Sequence, residues 1–149
     1  MTTTEIKAAW NTFKKEAKKE IRFDMSGCCY MNAKQIANGT ATIALCSNIE
    51  YDEEIEYQRN SIEKVNGYNT WTTEEKKNHE NRCLDRIANQ EQRKAAYGNK
   101  ENEAKKKAAE IIISPAFQKL AKAIDLKLAD VELVHKWGGL YIYQLRLNY

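Results

Sequence analysis

Near its C-terminus the chain carries Gly138-Gly139 between two apolar-rich runs, Val131–Trp137 and Leu140–Leu147. Two consecutive glycines supply the positive φ values that a two-residue hairpin turn demands. The pattern predicts an antiparallel pair in which Trp137 faces Leu140, His135 faces Ile142 and Leu133 faces Gln144. Side chains alternate across a strand, so Tyr141, Tyr143, Leu145, Leu147 and Tyr149 fall on one face. A face that apolar has to be covered, and the rest of the chain must supply the cover.

Most of that cover reads as helix. Ile6, Trp10, Phe13, Ala17 and Ile21 recur at spacings of three and four, predicting a helix over the first 22 residues with the Thr run before Glu5 as its cap. Thr72 and Glu75 form a Ser/Thr-x-x-Glu capping box, which starts a helix that runs to about Tyr97 and stops at Gly98. Its stretch Glu74–Arg82 is almost wholly polar and is expected to project into solvent. Asn99 caps a helix through Ile112 with Ala104, Ala108 and Ile111 inward. Ser114-Pro115 restarts the chain in a further helix whose stripe is Phe117, Leu120, Ala121 and Ile124.

Between these lie the remaining strand signals. Cys28–Met31 reads as a short strand, Asn38-Gly39 as a turn and Thr40–Cys46 as a β-branched strand. Residues 49–66 fit two periods. Ile49, Tyr51, Ile55 and Tyr57 alternate with acids, whereas Tyr51, Ile55, Ile62 and Val65 make a helical stripe. The expectation is a strand start passing into a helix that ends at Gly67. At 149 residues the chain is one domain long. The expected fold is therefore a single α+β domain over residues 1–149. A small antiparallel sheet, including the C-terminal β-hairpin, is packed by several helices.

Several function classes fall away. No apolar run approaches the 18 residues of a membrane span. The start, Met1-Thr2-Thr3-Thr4-Glu5-Ile6-Lys7, lacks the basic-then-apolar layout of a secretory signal, so a cytoplasmic protein is expected. Walker, G-x-G-x-x-G and G-x-S-x-G signatures are missing. A Ser-His-Asp triad would have to use His79 or His135, and His135 falls mid-strand as a structural imidazole. A non-enzymatic protein is expected, with no cofactor unless zinc binds.

Charge carries the strongest functional signal. The chain holds 24 Lys and Arg against 21 Asp and Glu. Lys outnumbers Arg 18 to 6 and Asn occurs 13 times, the usage of an AT-rich genome, so the basic balance by itself says little about nucleic acid. The distribution says more. Residues 49–63 hold six acids against Arg59 alone, and residues 93–127 hold nine bases against four acids. Glu50, Tyr51, Asp52, Glu53, Glu54, Glu56 and Tyr57 are the candidate partner-binding set, because carboxylates with tyrosine anchors can dock on a basic groove and take the places of phosphates. Lys14, Lys18, Arg22, Lys105, Lys106 and Lys107 are the candidate phosphate contacts of an alternative, a nucleic-acid-binding accessory protein. Both sets read equally as solvated helix faces.

A third candidate is a zinc-stabilised domain. His79 and Cys83 stand four apart in a helix and so share a face. Cys28 or Cys29, together with Cys46, could complete four ligands if their strands lie against that helix. There is no C-x-x-C pair, and the plain alternative makes Cys46 and Cys83 small buried hydrophobes. In style (small, rich in Lys and Asn, charge-segregated, without a catalytic motif) the chain is similar to orphan proteins of phages and mobile elements, anti-CRISPR proteins among them. The resemblance implies an inhibitor that binds a host protein or protein–nucleic-acid complex of a nucleic-acid-handling or defence system.

Overall fold

A computed structural model describes residues 2–20, 29–30, 38–135 and 138–149. Among them are five helices and four strands. In chain order these are α1 (Thr3–Glu20), β1 (Cys29–Tyr30), β2 (Thr40–Ser47), α2 (Tyr51–Asn66), α3 (Thr73–Tyr97), α4 (Lys100–Ile113), α5 (Pro115–Ala123), β3 (Leu128–His135) and β4 (Tyr141–Asn148). The fold is α+β, with an antiparallel sheet in the order β1-β2-β4-β3. The chain packs as two compact units, residues 1–48 with 104–149, and residues 49–103.

The first unit holds the sheet. The α1 stripe Ile6, Trp10, Phe13 and Ala17 is buried with Ala41, Ile43 and Leu45 of β2 and with Leu145 and Leu147 of β4. Ala104, Ala108 and Ile111 of α4 and Ala116, Phe117 and Leu120 of α5 complete this core. Five alanines within it let backbones approach closely, while Trp10, Phe13 and Phe117 fill the volume. Phe13 meets Phe117 edge to face at 6.0 Å, a favoured aromatic geometry. Each large apolar side chain taken fully out of water here contributes roughly 1.5–3 kcal/mol.

Local chemistry sets the ends. The Thr2 hydroxyl accepts from Glu5 N, and the Thr2 backbone N–H donates back to the Glu5 carboxylate at 2.6 Å. That reciprocal pair is a capping box, and the bond from the Thr2 N–H holds the Glu5 carboxyl below the usual range. Ser114 accepts from Phe117 N, with Pro115 at the first helical position of α5.

The hairpin has its turn glycines in the expected left-handed conformation, φ 61° at Gly138 and 78° at Gly139. Its register differs by one residue. His135 faces Tyr141, Val134 faces Ile142 and Leu133 faces Tyr143. Trp137 lies outside the described residues, and the expected pairings of His135 with Ile142 and of Leu133 with Gln144 are both replaced. The physical reason lies in the faces. The observed register sets Val131 opposite Leu145 and Ala129 opposite Leu147, apolar against apolar. The expected one would set Val131 opposite Arg146. A slip of one residue turns a whole side of the strand over, so core burial outweighs the turn type in setting register. The face of β4 itself is as expected: Leu145 and Leu147 are buried, Tyr143 and Tyr149 border the core, and Tyr141 emerges at the turn end.

The second unit is built on α2 and α3. Here the strand start expected after residue 49 is replaced by helix from Tyr51 onward. The buried residues Tyr51, Ile55, Gln58 and Val65 follow the helical period, and Asp52, Glu53 and Glu54 sit in the first turn, where the helix dipole favours them. The competing alternation fails at its last member, Tyr57, which is 68% exposed. Thr72 caps α3 by accepting from Glu75 N at 3.1 Å, and Gly98 ends it with φ 83°.

The polar start of α3 does not project alone. Lys76 Nζ donates to Asn66 O at 3.0 Å beside the connecting loop. Ser61 meets His79 midway, and Lys94 meets Asp52 at the far end. These contacts run in opposite chain directions, so α2 and α3 form an antiparallel helical hairpin. Its charged faces remain in water while Cys83 and Ile87 point inward.

Candidate functional site

The hairpin carries the acidic run, and helix geometry sorts its members. Tyr51 is 1% exposed. Its ring lies under Lys100 Nζ at 4.9 Å and Arg93 Cζ at 5.9 Å, and its hydroxyl donates to Asn99 O. Tyr51 is thus a core residue of this unit, which corrects its expected place as an exposed anchor. Glu50 accepts from Lys100 N at 3.4 Å. Both carboxylate oxygens of Asp52 take bonds from Lys94 Nζ, at 2.8 and 2.9 Å. Those two acids are engaged within the unit.

Glu53, Glu56 and Tyr57 are exposed, and Glu54 is half-buried. At 100° per residue, Glu53, Glu56, Asn60 and Glu63 line up along the outer face of α2, all exposed. Glu63 belongs to the acidic run but only the helical reading of the whole segment places it in this line. Ile49, Glu53, Glu54 and Tyr57 surround an open, mostly apolar depression of 270 Å³. An exposed tyrosine beside an apolar dip, rimmed by carboxylates, is suited to a long basic side chain that lays its methylenes down and its charge on the rim.

The basic set does not form one surface. Lys105 and Lys106 are exposed, while Lys107 is half-buried with Nζ donating to Leu45 O at 3.3 Å. Successive helix positions turn by about 100°, so the triplet circles α4. Lys14 is half-buried on α1; Lys18 has no described side chain, and Arg22 lies outside the described residues.

The metal set divides as well. His79 Nε2 and Cys83 Sγ stand 3.4 Å apart, the shared face expected of i and i+4. Cys46 belongs to the other unit, and Cys28 lies outside the described residues. Among the described residues no three His, Cys, Asp or Glu side chains come together as a metal cluster. The structure adds Ser61, whose Oγ is 3.0 Å from His79 Nε2. No local sequence signal marks it, because only the pairing of α2 with α3 brings it there. Trp71 packs edge-on against the His79 ring at 5.7 Å.

Among the described residues no helix is long and apolar enough to cross a membrane. Compared with protein-family models, curated proteins and solved structures, the chain matches none.

Proposed function

We propose that this chain is a non-enzymatic binding protein that uses the outer face of α2 to occupy a basic, phosphate-holding groove on a partner, and so inhibits a protein that handles nucleic acid. The observation that supports this reading most directly is the line of exposed acids Glu53, Glu56 and Glu63, with the exposed Tyr57 one turn from Glu53. Lys and Arg side chains placed to hold phosphates accept carboxylates in the same positions. Tyr57 adds rigid contact area at the edge of the acids, which is the composition of an interface hot spot. The similarity in style to proteins of mobile elements agrees with an inhibitor of host machinery.

The test is capture from bacterial lysate with the chain as bait, with and without nuclease. The reading expects a stoichiometric protein that survives nuclease and that oligonucleotide displaces. Replacing Tyr57 with Ala and reversing Glu53 and Glu56 to Lys should abolish capture while circular dichroism stays unchanged. Capture that persists in that folded variant would remove the α2 face from the account. Recovery of nucleic acid alone, lost on digestion, would shift the function to the lysines.

A further inference from the structure

The geometry points to the outer edge of β3 as a binding surface for an extended segment of a partner protein, which joins the sheet as an added strand and whose side chains alternate apolar and basic. This edge belongs to the unit that does not hold the α2 face, and it stands apart from the reading of that face.

Backbone bonds show which groups of β3 are already used. Tyr149 N donates to Gly39 O on the β2 side of β4. Bonding direction alternates along an antiparallel strand. Leu147 and Leu145, opposite Ala41 and Ile43, therefore turn their N–H and C=O toward β2. Asn148, Arg146, Gln144 and Ile142 turn theirs toward β3, and Asn148 O accepts from Lys127 N at 2.8 Å. Leu128, Asp130, Glu132 and Val134 face those residues and are engaged with them. Ala129, Val131 and Leu133 come between, so their N–H and C=O groups point away from the sheet. β3 is last in the strand order, and among the described residues no backbone bond takes up these groups.

Such edges are usually blunted by a proline, a bulge or a lysine. β3 (Leu128-Ala129-Asp130-Val131-Glu132-Leu133-Val134-His135) contains none of them, and its register with β4 runs unbroken. It has a two-sided pattern instead. Ala129 and Val131 border the core, and Leu133 on the same face is 48% exposed. The opposite face carries Asp130 and Glu132. Gln144 Nε2 donates to Glu132 at 2.7 Å and Arg146 lies 3.8 Å from it, so the base on that face is turned to Glu132. Asp130 is exposed and makes no ion pair among the described residues. An added strand sets its side chains beside those of β3 on the same face. Apolar residues next to Val131 and Leu133, with Lys or Arg next to Asp130 and Glu132, match both faces, while backbone bonds supply affinity. The acids also disfavour a second copy. With both core faces on one side, the registers that overlap β3 most fully set Glu132 against itself or Asp130 against Glu132. Like charges directly opposed are destabilising.

The test uses the full chain and a fluorescent peptide of alternating valine and lysine, with alternating valine and glutamate as its counterpart. Anisotropy should show one-to-one binding of the lysine peptide and no binding of the other. Amide exchange at Ala129, Val131 and Leu133 should be fast in the free chain and slow several-fold with the lysine peptide bound. Leu133→Pro removes an outward N–H and no bond of the β3–β4 ladder, so it should abolish binding with circular dichroism unchanged. Leu133→Ala keeps that N–H and should weaken binding only a few-fold. Asp130→Lys should weaken the lysine peptide and admit the glutamate one. Should Leu133→Pro disturb the fold, Asp130→Lys and the amide exchange still decide. No binding of the lysine peptide, or binding indifferent to a folded Leu133→Pro, overturns the proposal. Binding lost when Glu53 and Glu56 are reversed to Lys overturns it too, by putting the peptide on α2. So does amide exchange that slows with protein concentration alone, which would give the edge to a second copy.

Discussion

Glu103 has a side chain with no exposure at all, an unusual place for a carboxylate. It is held by the Arg93 guanidinium, which reaches both oxygens and makes one bond at 2.6 Å, with Lys100 Nζ 4.0 Å away. Lys100 is itself 2% exposed and lies over the Tyr51 ring. Removing one member of a buried ion cluster is far more costly than the cluster is worth, because the remaining charge loses its partner without regaining water. Glu103→Ala should therefore lower stability by about 3–5 kcal/mol. Glu103→Gln, which keeps the shape and one acceptor, should lower it by less. Urea unfolding of both variants checks this, and equal losses would mean that packing rather than charge holds the site. None of this was legible beforehand. Glu103, Lys100 and Arg93 read as surface charge in a helix, since one-dimensional periodicity cannot say which polar residues meet inside. The same blindness made Tyr51 look like an exposed anchor. Ser61 was missed because its contact to His79 spans 18 residues across a loop.

Elements were more legible than their contacts. Helix starts at Thr72, Asn99 and Ser114 announce themselves through side-chain caps, and all three caps form. The stripe of α1 and the apolar face of β4 also follow directly from their periods. The failures occur where two local signals compete and a distant partner decides. Residues 49–58 satisfy both a twofold and a 3.6-residue period, and packing against α3 selects the helix. The hairpin glycines are correct for a tight turn, yet the faces of Val131 and Leu145 select the register. Gly39 is the element-level position with the sharpest consequence. It sits at φ 67°, its carbonyl accepts from Tyr149 N at 2.9 Å, and a Cβ there would collide with the Tyr149 carbonyl. Because that obstacle is backbone, it cannot rotate away. Gly39→Ala should cost more than the roughly 1 kcal/mol that a left-handed alanine alone incurs, and should loosen the end of the β2–β4 ladder. Gly138→Ala meets nothing within 4 Å and should incur only the dihedral cost. Amide exchange at Ala41 and Tyr149 distinguishes them: fast exchange in the Gly39 variant alone is expected.

Across the whole molecule, charge follows the division into units. Residues 49–103 hold 9 Lys and Arg against 13 Asp and Glu, a net of −4. The other unit holds 15 against 8, a net of +7. A formal charge of +3 for the chain thus hides two opposed fields. Net positive charge attracts a polyanion and net negative charge repels it, so charge on either unit acts on a polyanion even without contact. Neutralising Glu53, Glu56 and Glu63 together to Gln should move two affinities in opposite directions. Capture of a protein partner through the α2 face should fall. Affinity for duplex DNA at low salt should rise, and this gain should shrink steeply as salt is added. Stability should change by no more than about 0.5 kcal/mol, because all three side chains are exposed. Fluorescence anisotropy with labelled duplex over a salt series, beside the capture assay, measures both. A variant that loses partner capture while DNA affinity stays flat would mean that the acids act by contact alone and the opposed fields are incidental. A variant that gains DNA affinity with capture intact would mean that the acidic face only keeps the basic unit off nucleic acid, and that its partner docks elsewhere.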